Sequence, residues 1–72
     1  MTTRRQILNL LNGTPYPRTD NQIADAIDRP VPSVRRTRLQ MEHEGLLTMH
    51  GFQSPYEWAL TGEGRMLAGS RR

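Results

Sequence analysis

The sequence predicts a small α+β protein, mainly α, in which three helices precede a two-stranded β-hairpin and a short C-terminal helix. Apolar residues recur at helical spacing over the first 44 residues, and capping residues and prolines divide that region into three segments. After Gly45 the apolar residues alternate instead, as in half-buried strands. Because 35% of the residues are hydrophobic, enough for one small core, we expect a single domain over residues 1–72.

The first helix is predicted over residues 3–12. Its apolar residues at helical spacings are Ile7, Leu8, Leu10 and Leu11. Thr3 and Gln6 have the spacing of a capping box, and Gly13 is a favourable C-terminal stop. Two prolines in the segment 14–18 then predict a linker or a short extended piece.

The second helix has the clearest start signal of the chain. Thr19 and Gln22 have the spacing of a capping box, with Asp20 adding negative charge to the first turn. Its apolar stripe is formed by Ile23, Ala26 and Ile27. The helix is expected to end at Arg29, because Pro30 disfavours helical geometry in the residue before it.

The third helix is predicted over residues 32–44. Pro32 is favourable in a first helical turn, and Gly45 provides a C-terminal cap. At about 100° per residue, one face is formed by Val34, Thr37 and Met41. We expect that face to pack on the core.

Polar residues occupy the rest of the third helix. The face opposite the core carries Arg36, Gln40 and His43, with Ser33 beside them. Arg35 lies on the flank of that face. Arg38 lies close to the core side, so we expect its aliphatic stem to pack while its charged head reaches outward. The positive charge is thus concentrated in the first turns of a helix whose opposite face is expected to pack on the core.

The hairpin is predicted from strands at residues 46–50 and 56–60, joined by a turn at 51–55. In the second strand the alternation points Tyr56, Trp58 and Leu60 inward. We expect Trp58 and Tyr56 to belong to the core. A short terminal helix follows Thr61 and covers about residues 62–69.

The charge of the chain suits an anionic partner. The net charge is +3, and all ten basic residues are arginine. Arginine binds phosphate oxygens and guanine edges with two parallel hydrogen bonds, which favours a nucleic acid as partner. Codon usage in a GC-rich genome also favours arginine over lysine, and this explanation points to a high-GC bacterium or one of its phages.

Two stretches match a known order of elements, namely NQIADAIDRPVPSVRRTRLQMEHEGLL at residues 21–47 and YEWALTGEGRMLA at residues 56–68. In the first, a helix of small residues precedes a helix that begins with Ser-Val and ends before Gly-Leu. In the second, a strand leads into Leu-Thr-x-x-Gly-Arg. Together they resemble the winged helix-turn-helix DNA-binding domains of MarR-like and PadR-like regulators. The resemblance assigns a helix-turn-helix to about residues 19–45 and a wing to about residues 46–60.

The resemblance implies double-stranded DNA as partner, a homodimer as the binding species, and helix 3 in the major groove. The residues expected to face DNA are Ser33, Arg35, Arg36, Arg38, Gln40 and His43. Arg36 and Gln40, one helical turn apart, suit base edges, whereas Ser33 and Arg35 suit phosphates. Arg4, Arg5 and Phe52 are candidates for further backbone or wing contacts, whereas the terminal Arg71 and Arg72 are expected to be disordered rather than bound to DNA.

Two departures from the family pattern keep other functions open. The wing turn has no arginine or lysine, and helix 2 exposes Asp25 and Asp28, which phosphate repels. These features, with Phe52, favour a winged helix that binds a protein partner, as a subunit or an inhibitor of a larger assembly. An excisionase-like factor that bends DNA is a further alternative.

Catalysis, metal binding and membrane insertion find little support in the sequence. The sequence offers neither a nucleophile paired with a base nor a glycine-rich phosphate loop, so we expect no enzyme and no cofactor. His43 and His50, with Glu42 and Glu44, match no metal-ligand spacing. No apolar run reaches the roughly 18 residues of a membrane span, so we expect a cytoplasmic protein.

Overall fold

A computed structural model describes residues 2–14 and 16–69. Within them, the elements in chain order are α1 (Thr3–Asn12), β1 (Arg18–Thr19), α2 (Asp20–Ile27), α3 (Val31–His43), β2 (Leu47–His50), β3 (Glu57–Leu60) and α4 (Gly62–Gly69). The strands form one antiparallel sheet in the order β1-β3-β2. This arrangement confirms the predicted fold class, a mainly helical α+β protein in which a helix-turn-helix precedes a hairpin wing.

The sheet has one more strand than the sequence predicts. Arg18 and Thr19 pair with Trp58 and Glu57 of β3, so the sheet has three strands rather than two. A two-residue strand directly after Pro17 is too short to show alternation, so the sequence predicts only a linker or a short extended piece there. β1 leads directly into α2, so the sheet and the helix-turn-helix are joined at Thr19.

Local capping explains where the helices begin and end. The predicted capping box of α2 is confirmed, because Thr19 Oγ1 accepts from the Gln22 amide and Gln22 Oε1 accepts from the Thr19 amide. In α1 the prediction is wrong by one residue, since the cap is Thr2, whose hydroxyl accepts from the Arg5 amide. Asp28 ends α2 in a left-handed conformation, with φ of 57°.

The core is a single cluster to which all four helices and the hairpin contribute. Its buried members are Ile7, Leu8, Leu11, Ile23, Ala24, Val34, Met41, Leu46, Leu47, Trp58, Leu60 and Ala68. Ala24, not the predicted Ala26, completes the buried face of α2, because that helix packs against both α1 and α3. The prediction that Tyr56 points inward is wrong, because this residue precedes the first paired residue of β3 and is exposed.

The start of α4 is fixed against the segment that follows α3. The Thr61 amide donates to the carbonyl of Leu46 at 3.0 Å, and the Thr61 hydroxyl donates to the carbonyl of Gly45 at 2.7 Å. Gly64 lies so close that a Cβ atom there would be 2.3 Å from the Leu46 carbonyl oxygen. These contacts hold the C-terminal end of α3 in place. No helix in the described ranges combines the length and the apolar character that crossing a bilayer requires.

Candidate nucleic-acid interface

The two faces of α3 differ as the sequence predicts. Val34 and Met41 are fully buried and anchor one face to the core. Arg36, Gln40 and His43 are exposed on the opposite face. Ser33 is half-buried at the edge of that face. The helix therefore presents a row of hydrogen-bonding side chains to solvent from a firmly packed base.

Arg35 lies on the flank of α3, between the helix and the wing. Its side chain is 57% exposed, and its Nε lies 3.8 Å from Oδ2 of Asp20. Both residues line a cleft of about 390 Å³ whose other residues are Thr19, Asn21, Arg38, Ser54, Pro55, Tyr56 and Trp58. The start of α2, the start of α3 and the wing therefore meet on the same side of the molecule.

Arg38 occupies a different environment from the one predicted. Only 8% of the residue is exposed, and its Nε and Nη2 donate to the two carboxylate oxygens of Asp20 at 3.0 and 2.7 Å. Its guanidinium carbon lies 4.1 Å from the centre of the Trp58 ring, and its Nη1 is 3.5 Å from Glu42. The prediction that the charged head reaches outward is therefore wrong. A carboxylate 18 residues earlier in the sequence draws it inward.

The pair formed by Arg38 and Asp20 connects three elements. Asp20 is the first residue of α2, Arg38 lies in α3, and Trp58 belongs to β3. A buried charge is costly unless it is paired and hydrogen-bonded, and here the bidentate pairing meets that requirement. Because Arg38 of α3 contacts both Asp20 and Trp58, its side chain fixes the wing relative to α3. For this reason we remove Arg38 from the residues proposed to contact DNA.

The N-terminal arginines are partly engaged within the protein. Nη1 of Arg4 donates to Oε1 of Glu44, so this side chain is bound to the residue that caps the end of α3. Arg5 is half-buried, and its Nη1 is buried without a hydrogen-bond partner in the described part of the chain. Arg71 and Arg72 lie outside the described residues.

The wing tip is exposed and uncharged. Every residue from 51 to 56 is exposed, and Phe52 is as accessible as in an extended peptide. Ser54 and Tyr56 line the cleft that Arg35 also lines. The wing therefore extends from the side of α3 on which Arg35 lies, and its tip carries neutral polar and aromatic groups.

Two residues that bear on this surface were missed by the sequence analysis. Asp20 was interpreted as a helix-start charge, and its pairing with Arg38 has no local signal. Leu39 is 53% exposed on α3 and was not singled out. The helical projection that placed Arg36 outward places Leu39 on the same face, so that projection could have identified it.

Among residues 2–14 and 16–69, His, Asp and Glu side chains form no group of three or more that could hold one metal ion. His43 is exposed near the end of α3, and His50 is exposed at the end of β2.

No protein-family model and no curated protein sequence matches the chain. Solved structures do match. MepR, a transcription regulator of the Staphylococcus aureus multidrug efflux pump MepA, is 23% identical with a TM-score of 0.83, over 94% of this chain and 52% of that one. Lactococcus lactis ZitR is 20% identical with a TM-score of 0.82, over 94% of this chain and 47% of that one.

A candidate DNA-binding protein from Ralstonia eutropha JMP134 is closer in size. It is 24% identical with a TM-score of 0.77, and the match covers 92% of this chain and 89% of that one. By contrast, the chain spans about half the length of MepR and ZitR. All these identities are below 25%, so the likeness concerns the fold. The chain shares the winged helix-turn-helix fold of these structures.

Proposed function

We propose that the protein is a sequence-specific double-stranded DNA-binding protein that acts as a transcriptional regulator or a phage control factor. The observation that carries this proposal is the outward face of α3, where Arg36, Gln40 and His43 are exposed above a fully buried base of Val34 and Met41. A helix presented in this way fits the width of the DNA major groove. The protein acts by binding, without catalysis.

The side chains on α3 divide into two roles. Arg36 and Gln40 are one helical turn apart on the outward face, where they meet guanine and adenine edges. Ser33 and Arg35 lie at the start and flank of the helix, where phosphates also meet the positive end of the helix dipole. The contact of Arg35 with Asp20 is long, the Arg35 side chain is exposed, and Asp20 keeps its bonds to Arg38, so a DNA phosphate replaces this contact at little cost. His43 extends the face by one turn.

Contacts outside α3 are secondary in this proposal. Phe52 at the wing tip reaches the minor groove as an apolar wedge. Arg4 approaches the DNA backbone only by leaving Glu44, and Arg5 only by leaving its half-buried position. The three-stranded sheet and the pair of Arg38 with Asp20 hold the wing in position for its contact.

A symmetric homodimer is the proposed binding species, with α1 or α4 at the contact, because one chain of this size covers only half of a palindromic operator. Light scattering should show self-association on DNA, and a footprint should span two half-sites. A monomer that protects a single half-site would remove this part of the proposal. Such a protein works in the cytoplasm of a bacterium, or of its host if a phage encodes it.

The second candidate function is a winged helix that binds a protein partner. The specific observations in its favour are the uncharged wing, the fully exposed Phe52, and the exposed Asp25 and Asp28 on α2. An excisionase-like factor that bends DNA would use the same α3 surface and is separated from a regulator by its effect on recombination.

The proposal is tested by replacing the two arginines separately. A preferred duplex is first selected from random DNA with the wild-type protein. Arg36→Ala should then weaken binding by about 1–3 kcal/mol and relax the preference at one base pair. Arg35→Ala should weaken binding to all sequences alike and reduce the slope of affinity against salt by about one.

A matched control removes the same charge from another part of the molecule. Arg65 is exposed on α4 and lies beside His50 and Ala59 of the sheet. Arg65→Ala should leave the base preference unchanged. If Arg36→Ala and Arg35→Ala both stay folded and bind DNA as the wild type does, α3 is not the DNA-binding element, and the protein-partner function takes its place.

A further inference from the structure

Leu39 is an exposed leucine in the middle of a polar surface. It is 53% exposed, whereas Val34 and Met41 of the same helix are fully buried. Its neighbours along α3, three or four residues away, are Arg35 and Arg36 on one side and Glu42 and His43 on the other. A single exposed leucine is common on protein surfaces, so exposure alone assigns no role to Leu39. Its position on α3 does.

The position of Leu39 is the centre of the outward face of α3. At about 100° per residue, Leu39 projects between Arg35 and Arg36 on the helix circumference. The base-contacting and phosphate-contacting arginines of the proposed interface therefore flank it. A helix placed in the major groove with these arginines in contact brings Leu39 to the base edges.

The surroundings of Leu39 do not fit a protein-docking surface. Within residues 2–14 and 16–69, the other large exposed apolar residues are Tyr16, Met49, Phe52, Tyr56 and Met66, and none of them lies on α3. The side chains one turn before and after Leu39 are charged or polar. A protein contact built around Leu39 would thus lack the contiguous apolar patch that such sites show.

The major groove offers one apolar group to such a side chain, the C5-methyl group of thymine. We propose that Leu39 contacts a thymine methyl group and thereby specifies a T·A pair within one or two base pairs of the pair that Arg36 reads. This inference rests on the proposed function, and it adds a specificity-determining residue to it. Burial of the methyl group against Leu39 excludes water from both.

The experiment removes the methyl group from the DNA and the side chain from the protein. In the duplex that wild-type protein selects from random DNA, each thymine is replaced singly by uracil, which lacks only the C5-methyl group. Affinity is measured by fluorescence anisotropy. Wild-type protein should lose about fourfold in affinity at one thymine, the effect of one buried methyl group, and nothing at distant thymines.

Two variants of the full chain complete the cycle. Leu39→Ala should bind the thymine duplex more weakly than wild type and should be insensitive to uracil at that one position. Leu39→Met keeps a long apolar side chain and should retain the sensitivity. Because Leu39 is exposed, both variants should melt at the wild-type temperature in circular dichroism. The uracil series with wild-type protein tests the thymine contact even if a variant fails to fold.

Several results overturn the inference. The first is that uracil substitution lowers the affinity at no thymine near the base pair read by Arg36. The second is that wild type and Leu39→Ala lose the same affinity on uracil substitution. The third is that Leu39→Ala binds every duplex more weakly by the same factor. A uniform loss accompanied by reduced self-association would show a protein contact instead. If Arg36→Ala and Arg35→Ala still show their separate losses, only the role of Leu39 fails. If they do not, the proposed function fails as well.

Discussion

Arg36 and Arg38 lie two residues apart on α3, and their environments are opposite. Arg36 is exposed and makes no ion pair within residues 2–14 and 16–69. Arg38 is buried, holds both oxygens of Asp20 and lies against the Trp58 ring. The run of arginines at the start of α3 is therefore two sets of residues, one that builds the fold and one that is free for a partner.

The surroundings of each arginine, and not the cluster as a whole, determine how its charge is compensated. The side chain of Arg38 points between α2 and β3, where a carboxylate and an aromatic ring compensate its charge. The side chain of Arg36, about 160° further round the helix, is exposed to solvent and has no carboxylate partner among the described residues. Both residues are arginines in the same helix, so their different positions around the helix axis decide their different roles.

The largest expected effect comes from Trp58, which supports Arg38 and does not touch Arg36. Trp58→Ala should lower the free energy of unfolding by about 3–5 kcal/mol, because it removes a buried ring and leaves a cavity. Urea denaturation followed by circular dichroism measures this loss. The exposed Tyr56 is the matched control, and Tyr56→Ala should change the free energy far less. A stable Trp58→Ala variant would contradict the burial of the ring.

Removal of Arg38 should have the next largest effect. Arg38→Ala leaves the largely buried carboxylate of Asp20 with only its long 3.8 Å contact to Arg35, which should lower the free energy of unfolding by about 3 kcal/mol. Arg38→Met keeps an apolar stem over Trp58 and should lose less. If Arg38→Ala and Arg36→Ala melt at the same temperature, Arg38 does not support the fold more than Arg36 does.

A smaller effect is expected from the partner carboxylate. Asp20→Asn should cost about 1–2 kcal/mol of unfolding free energy, because the neutral amide retains one acceptor for Arg38 while the charge-assisted bonds are lost. In an Arg38→Ala background the same change should cost almost nothing. Equal costs in both backgrounds, measured by urea denaturation, would show that the two residues are not coupled.

The smallest expected effect on stability is that of Arg36. Arg36→Ala should change the free energy of unfolding by less than about 0.5 kcal/mol, as is usual for an exposed residue without partners. Its effect on DNA affinity should nevertheless be large, as proposed above. A variant that loses stability and affinity together would mean that Arg36 also supports the fold.

Local chemistry made much of the fold predictable. The Thr19–Gln22 capping box, the buried face of Val34 and Met41, and the switch to alternation after Gly45 each depend on residues close in sequence. For the same reason the exposed face of α3 was predicted correctly, since one helical projection orders all its residues. Leu39 was not among the predicted contacts, because only charged and polar groups were expected to bind from that face.

Contacts between distant residues account for what could not be predicted. β1 is a strand because Arg18 and Thr19 meet β3, about 40 residues later in the chain. Arg38 turns inward because Asp20 lies beside it in space. Neither pairing leaves a periodic signal, and a two-residue strand is too short to show one.

The position of Thr19, at once the last residue of β1 and the cap of α2, bears on how the protein folds. β1 reaches the hairpin only when the chain from residue 18 to residue 58 has closed into a loop, and this loop contains α2 and α3, so completion of the sheet joins the wing to the helix-turn-helix. The wing and the helix-turn-helix should therefore open together as one cooperative unit. Native-state hydrogen exchange should give the Trp58 and Ile23 amides the same opening free energy.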